Sequence, residues 1–274
     1  MVFPPETAIN SIKMVLKYYP VLCVEGITDR DFFKSRENPN RSKVSKNVIV
    51  RACFGLENVS EIVPIIEEFL QSKSGENFNN CFGVIDWDYN WYHSRLPELT
   101  SNIHHHDTNN LESFVLFQEQ IIQHFNESGA SSETQFAVQC SEQIGYLRCI
   151  NNELKKKWRF KEKENSKLRN ELLNLFNENL KNQNLEAFRL GVLKLYKMNH
   201  EEFNNHVSKI EQSKYYSQAR IVNGKDLFSF IKMCQNNSTY VNLEEQFTNE
   251  MFQTTSLAKW LIEKGIPLNS KDEY

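Results

Sequence analysis

Glycine and proline are scarce, nine and seven in 274 residues. So few turn formers argue against an all-β protein of tight hairpins, and helices should predominate. No apolar run approaches the roughly 18 residues a membrane helix needs, and the opening Met1-Val-Phe-Pro-Pro-Glu6 lacks the basic and then apolar regions of a secretory leader. A cytoplasmic address without a membrane partner is the expectation. Charge of one sign is missing as well: 32 basic against 35 acidic residues leave a formal -3, so bulk attraction to a polyanion is not built in. The six cysteines (Cys23, Cys53, Cys81, Cys140, Cys149, Cys234) contain no Cys-x-x-Cys pair, which removes a zinc ribbon or a redox couple. They are expected to be reduced, with Cys23, Cys53 and Cys81 acting as small hydrophobes in apolar stretches. Neither G-x-x-x-x-G-K-[ST] nor G-x-G-x-x-G occurs, so nucleotide hydrolysis by this chain alone is not expected.

What is present is enough apolar material to build a core: 40% hydrophobic and 12% aromatic residues, 19 of them Phe. The first third alternates strand and helix patterns. Tyr19 to Glu25 is a continuous apolar run suited to a strand covered on both faces. Thr28-Asp-Arg-Asp31 gives a helix-start signal before Phe32 and Phe33. A second strand is expected over Asn47 to Phe54, stopping at Gly55. A helix follows over Ser60 to Leu70, where Pro64 is tolerable near the first turn. A third strand, Cys81 to Ile85, runs into Asp86-Trp-Asp88. This order predicts an α/β protein with a parallel sheet flanked by helices, joined by right-handed crossovers. Beyond about Ser113 the periodicity is helical, so the chain divides into residues 1–115 and a mainly helical region, 116–274.

Acidic residues gather at the carboxyl ends of the expected strands, the edge where parallel sheets bind ligands. Glu25 ends the first strand, Asp29 follows four residues on, and Asp86 and Asp88 end the third. Asp86 and Asp88, two apart in extended backbone, share a side, while Trp87 points away. Such carboxylates repel one another unless a cation or a raised pKa relieves them. Magnesium or manganese is the simplest remedy, since either takes one or two protein carboxylates together with phosphate oxygens. A phosphate-containing substrate is therefore implied.

Val24-Glu-Gly-Ile-Thr-Asp29, followed by Phe32-Phe33, resembles the glutamate motif of the TOPRIM domain shared by topoisomerases, primases, recombination mediators and OLD-type nucleases. Val84-Ile-Asp-Trp-Asp-Tyr89 resembles its D-x-D motif. Asn109-Asn-Leu-Glu112-Ser-Phe and Val222-Asn-Gly-Lys-Asp-Leu227 are similar to segments of TOPRIM proteins encoded beside AAA ATPases, the best known being the toxic effectors of PARIS-type anti-phage systems. The resemblance covers about the first 115 residues and, beyond them, the Gly-Lys-Asp segment. It implies a TOPRIM-like sheet and metal-dependent endonuclease chemistry. Asp86 and Asp88 would hold the metal with Asp29 and Glu112, and Glu25 would act as proton shuttle or further ligand. Glu112 reads equally as a helix-start residue. Lys225, beside Gly224, either reaches the scissile phosphate or is an exposed lysine next to a helix cap. The resemblance further implies RNA, transfer RNA in particular, as substrate under control of an AAA ATPase partner, with DNA if the likeness is only to OLD nucleases. A homodimer would be reasonable for such a relative.

Three other features carry weaker chemistry. Lys155, Lys156, Lys157 and Arg159 open the most basic stretch of the chain, either a solvated helix face or a contact for nucleic acid or an acidic partner. His104-His105-His106 lies near a fourth strand; alternate residues share a face, so at most two converge, and the run is expected to be structural, with His104 and His106 kept as secondary candidates. Trp87, Tyr89, Trp91 and Tyr92 either stack on unpaired bases or pack a loop, and packing is favoured. Two rival functions stand beside the nuclease. One is a non-catalytic module docking on an ATPase through its acidic crevice. The other is a primase-like or topoisomerase-like enzyme, for which the nucleotide-handling segments and tyrosine-bearing domain are not visible.

Overall fold

The strands form where apolar residues run without a break. In the computed structural model, β1 (Val21–Val24) and β3 (Cys81–Ile85) are buried at every residue, while β2 (Ile49–Ala52) and β4 (Ile103–His105) are partly open. The structure describes residues 5–35, 38–73, 76, 78–87, 100–106, 108–127, 131–153, 162–234 and 247–269. The four strands make one all-parallel sheet in the order β2-β1-β3-β4, with Val24 opposite Ala52 on one side and Val84 on the other. Flanked by helices and followed by a mainly helical region, this is the expected α/β class, and the arrangement is consistent with a TOPRIM-like fold.

The two-residue period of the strands sorts the core into two faces. Val21, Cys23, Cys81, Ile85 and Ile103 pack with α1 (Pro5–Val15) and α3 (Leu56–Ser72) through Ile9, Ile12, Leu16, Val59, Ile62, Val63 and Ile66. Gly83 permits this approach: a Cβ there would sit 2.8 Å from Val59 and 3.2 Å from Val63. The helix begins earlier than its periodicity predicts, at Leu56 after Gly55, so Pro64 lies in its interior. The intrahelical bond that Pro64 cannot donate is offset by the buried stripe on either side. Helix α2 (Ile27–Phe33) connects β1 to β2, and Gly26 is its cap, two residues ahead of the Thr28 signal.

The other sheet face is closed by the end of the chain. Phe82 and His104 both lie against Trp260, at 6.0 and 4.9 Å between ring centroids. Trp260 belongs to α13 (Ser256–Glu263), which follows α12 (Asn249–Gln253). Phe32 and Phe33 of α2 meet Phe252 at 5.9 and 6.2 Å, and Phe32 stacks on Phe247 at 6.0 Å. A polar strap fixes this cover: Val44 bridges Leu268, Ser45 N–H donates to Pro267 O at 2.9 Å, and the Asn269 amide donates to Ser42 O at 2.7 Å. Lys43, 5% exposed, donates to Phe247 O at 2.6 Å and to Asn249 Oδ1 at 3.2 Å.

The chain thus forms two compact units, and their boundaries differ from a single cut at residue 115. Among the described residues, the first unit comprises those of 5–86, 100–106 and 247–269; the second comprises Trp87 and those of 108–234. The second unit contains α4 (Leu111–Leu116), α5 (Glu119–Glu127), α6 (Ser131–Glu153), α7 (Glu162–Leu180), α8 (Leu185–Tyr196), α9 (His200–Glu211), α10 (Gln218–Ile221) and α11 (Gly224–Cys234). Its core is a run of rings: Phe136 on Phe176 at 5.5 Å, Phe176 on Phe230 at 4.3 Å, and Phe188 edge-on to Phe230 at 6.0 Å. Asn110, Asn184 and Asn199 cap α4, α8 and α9 through their side-chain oxygens, which gives part of the Asn-rich composition a local cause. None of the six cysteines forms a disulfide, and burial pushes Cys140 well above the usual thiol range and Cys234 up to about 12. No helix among the described residues is long and apolar enough to cross a membrane.

Burial first, and then the nearby Arg41 charge, lower the Lys43 ammonium from 10.5 to about 8. The unfolded chain therefore binds more protons than the native one between these values, and Lys43 adds stability as pH rises through the window. The stability of the parent protein relative to Lys43→Met should increase between pH 8 and pH 10.5, measured by paired urea unfolding curves. A difference that does not change with pH would show that the ammonium is not held in this state.

Candidate active site

Strand order defines the crevice. The chain leaves β1 toward β2 on one side and returns to place β3 on the other, so the topological switch lies between the carboxyl ends of β1 and β3. Glu25 and Asp86 are the first residues beyond those ends. They meet there: the Glu25 carboxylate accepts the backbone N–H of Asp86 at 2.6 Å. Asp86 is 21% exposed, and its Oδ1 lies 2.6 Å from Nε2 of His106, whose side chain is fully buried. His106 follows the last residue of β4, the neighbour of β3, so three consecutive positions across the sheet edge become one hydrogen-bonded chain.

The His-rich run thus separates by function. His104 stacks on Trp260 beneath the second sheet face, whereas His106 contacts Asp86. The two residues do not converge on one ligand, and His106 joins the site as the partner of a carboxylate. Only the alternation of faces along the strand hinted at its separation from His105. A hydrogen bond from a buried imidazole to a partly buried carboxylate fixes both the ring and the carboxylate.

Asp29 has a different local task. Its Oδ2 accepts the N–H of Gly26 at 2.6 Å, closing the first turn of α2 over the loop that carries Glu25. Within the Thr28–Asp31 signal, Asp29 thus serves the helix start, while Asp31 takes the Arg30 guanidinium at 2.7 and 2.9 Å. Asp88, Tyr89, Trp91 and Tyr92 lie outside the described residues, as do Lys155, Lys156, Lys157 and Arg159. Trp87 is described: Arg220 lies over its ring at 4.3 Å and Tyr215 is 5.9 Å away, the packing arrangement favoured for this residue.

In the second unit, two motif segments more than a hundred residues apart interlock. Asn110 Oδ1 accepts from Ser113 N at 3.0 Å, Ser113 Oγ at 2.7 Å and Gly224 N at 3.1 Å. The one hydroxyl proton of Ser113 is shared between Asn110 Oδ1 and Val222 O, each 2.7 Å from Oγ, and Asn109 donates to Arg220 O at 2.9 Å. Gly224 serves this packing, because a Cβ there would collide with the backbone of Glu112 and Ser113. Its tight approach is to a neighbouring helix. Glu112 and Lys225 consequently face each other, with Nζ 3.6 Å from Oε1; Lys225 is 69% exposed and Glu112 30%.

Glu25 and Asp86 each bring a carboxylate to this edge, Glu25 accepting the backbone N–H of Asp86 and Asp86 meeting His106; carboxylate oxygen is the type that magnesium or manganese takes in ones and twos beside phosphate oxygens. No group of three His, Cys, Asp or Glu side chains able to hold a metal occurs among the described residues. No family model matches the chain, and no curated protein and no solved structure matches it.

His106→Ala should lower the unfolding free energy by about 2 kcal/mol, since a buried carboxylate partner is removed, whereas Asp86→Asn, which retains an oxygen acceptor, should cost less. Chemical denaturation of the two variants checks the order. Gly224→Ala should destabilise the second unit by about 2 kcal/mol or more, with near-normal helicity but a lowered melting temperature by circular dichroism.

Proposed function

We propose that this chain is a magnesium- or manganese-dependent nuclease that hydrolyses nucleic-acid phosphodiesters. The observation that carries the reading is the hydrogen-bonded junction of Glu25 with Asp86 at the switch point of a parallel sheet. Its sequence support is the pairing of Val24-Glu-Gly-Ile-Thr-Asp29 with Val84-Ile-Asp-Trp-Asp-Tyr89, the two motifs that resemble TOPRIM. Asp86, with Asp88 two residues on and Glu25 beside it, would hold the ion. When bound, the ion neutralises charge on the phosphoryl oxygens and lowers the pKa of water.

The chain's own residues have separate tasks in this reading. Glu25 accepts the proton from water as the water oxygen bonds to phosphorus, and the bond from phosphorus to the leaving sugar oxygen breaks, that oxygen taking a proton from solvent. His106 holds Asp86 in one orientation through the 2.6 Å contact, so the carboxylate does not reorganise during the reaction. Asp29 fixes the turn that presents Glu25. Lys225, in the second unit, offers an exposed cation to a phosphate, with Glu112 as its resting partner.

The motifs shared with TOPRIM proteins encoded beside AAA ATPases extend the proposal to a cytoplasmic anti-phage effector. In that setting an ATPase partner restrains the activity, RNA and especially transfer RNA is the substrate, and DNA is the alternative. Glu25→Gln and Asp86→Asn should each reduce magnesium-dependent cleavage at least about 100-fold while the fold is retained, and both should abolish toxicity on expression. Sequencing of cellular RNA and DNA ends after induction, parent against Glu25→Gln, identifies the substrate. Cleavage by both variants equal to the parent defeats the assignment of the site to Glu25 and Asp86, whereas a parent that cleaves nothing with magnesium sinks the nuclease and leaves the ATPase-docking module as the better reading.

A further inference from the structure

The turn between β2 and α3 holds a bulky residue in a conformation suited to glycine. Phe54 has φ +62°, in the left-handed region, and is followed by Gly55 at φ +136°. An aromatic residue there is strained relative to glycine or asparagine. Strain of this kind is often repaid by burial of the side chain, but Phe54 is 47% exposed. The backbone around it is nevertheless fixed. Asn58 donates to Cys53 O at 2.7 Å and to Phe54 O at 3.3 Å, Cys53 N–H donates to Val24 O at 2.8 Å, and Gly55 N–H donates to Glu25 O at 3.0 Å.

These bonds seat Phe54 beside Glu25. It stands two residues past Ala52, the partner of Val24, so it flanks Glu25 on the β2 side while Asp86 flanks it on the β3 side. Ile27, 50% exposed, opens α2 two residues after Glu25. One edge of the sheet thus combines two carboxylates with two exposed apolar side chains. A phosphodiester brought to those carboxylates is repelled by them, and a chain of formal charge -3 offers no bulk compensation. Stacking on an aromatic face is insensitive to charge and contributes about 1–3 kcal/mol per base.

We infer that Phe54, supported by Ile27, is a specificity-determining residue that stacks on an unpaired base adjoining the phosphate presented to Glu25 and Asp86. The inference rests on the nuclease reading and narrows its substrate to nucleic acid with an exposed, unstacked base. A paired base is already stacked on both faces and gains nothing from the ring. The strained backbone keeps the ring at the rim without burying it.

The test uses the full chain with Glu25→Gln, so that binding is read without turnover. The probe is a fluorescein-labelled single-stranded RNA oligonucleotide, compared with the same strand annealed to its complement, by anisotropy in magnesium. Phe54→Gly should weaken single-strand binding about tenfold, leave duplex binding unchanged, and raise the melting temperature by about 2 °C as the left-handed residue is relieved. Phe54→Tyr should keep the parent affinity. Unchanged single-strand affinity in Phe54→Gly, equal losses for single strand and duplex, or no single-strand binding by the parent each overturns the inference. So does a lower melting temperature with unchanged affinity, which would make the ring a packing residue. The parent reading fails separately: a Phe54-dependent single-strand complex in a protein that never cleaves with magnesium retains the base contact and removes the nuclease. Glu25-dependent cleavage whose KM is indifferent to Phe54 does the reverse.

Discussion

The N–H of Asp86 donating to the carboxylate of Glu25 is the contact on which the candidate site depends. Two carboxylates brought to one sheet edge raise each other's energy, and the cost is manageable only if each anion has donors or a cation. Here one oxygen is met by backbone and an oxygen of the other carboxylate by a buried imidazole. Neither provision is local in sequence. The first requires β1 and β3 to be adjacent and in register, Val24 with Val84; the second requires β4 to pair beyond β3. The chemistry at the edge is therefore a consequence of strand order.

Strand order is in turn held by what covers the faces. With β1 and β3 buried on both sides, α1 and α3 account for only half of the apolar surface. The rest is supplied by α2 together with residues 247–269, through Phe247, Phe252 and Trp260 and the polar strap to residues 42–45. The second unit is an insertion in the sequence of the first. It has its own aromatic core and its own constraint at Gly224, which locks two short motifs together.

Much of this is legible in the amino-acid sequence, for reasons that can be named. Continuous apolar runs at Val21–Val24 and Cys81–Ile85 can only be strands covered on both faces, and an acidic residue directly after each marks the carboxyl edge. The helical character of the remainder followed from its periodicity. What was hidden depends on partners distant in the chain. Nothing near Trp260 or Phe252 says that they close a sheet formed two hundred residues earlier, so the region after 115 reads as a separate block. The pattern of α3 suggests a later start because Pro64 imitates an amino-terminal signal, while the actual stop is the left-handed pair Phe54-Gly55. Gly224 advertised a close approach but not to what, and only the fold supplies Glu112 and Ser113 as the answer. His106 was obscured by its neighbours: three identical side chains in a row look alike until strand pairing gives each a different surrounding.

The contribution of residues 247–269 to the first unit sets an order of events during synthesis. A nascent chain that has emerged through β4, and even through the whole helical insertion, still lacks the rings of Phe247, Phe252 and Trp260 on the sheet face that carries Phe82. Trp260 reaches Phe82, and Phe252 reaches Phe32 and Phe33, only after α12 and α13 have left the ribosomal tunnel. A ribosome that stalls in the insertion therefore releases a polypeptide whose sheet lacks the cover that Phe247, Phe252 and Trp260 supply.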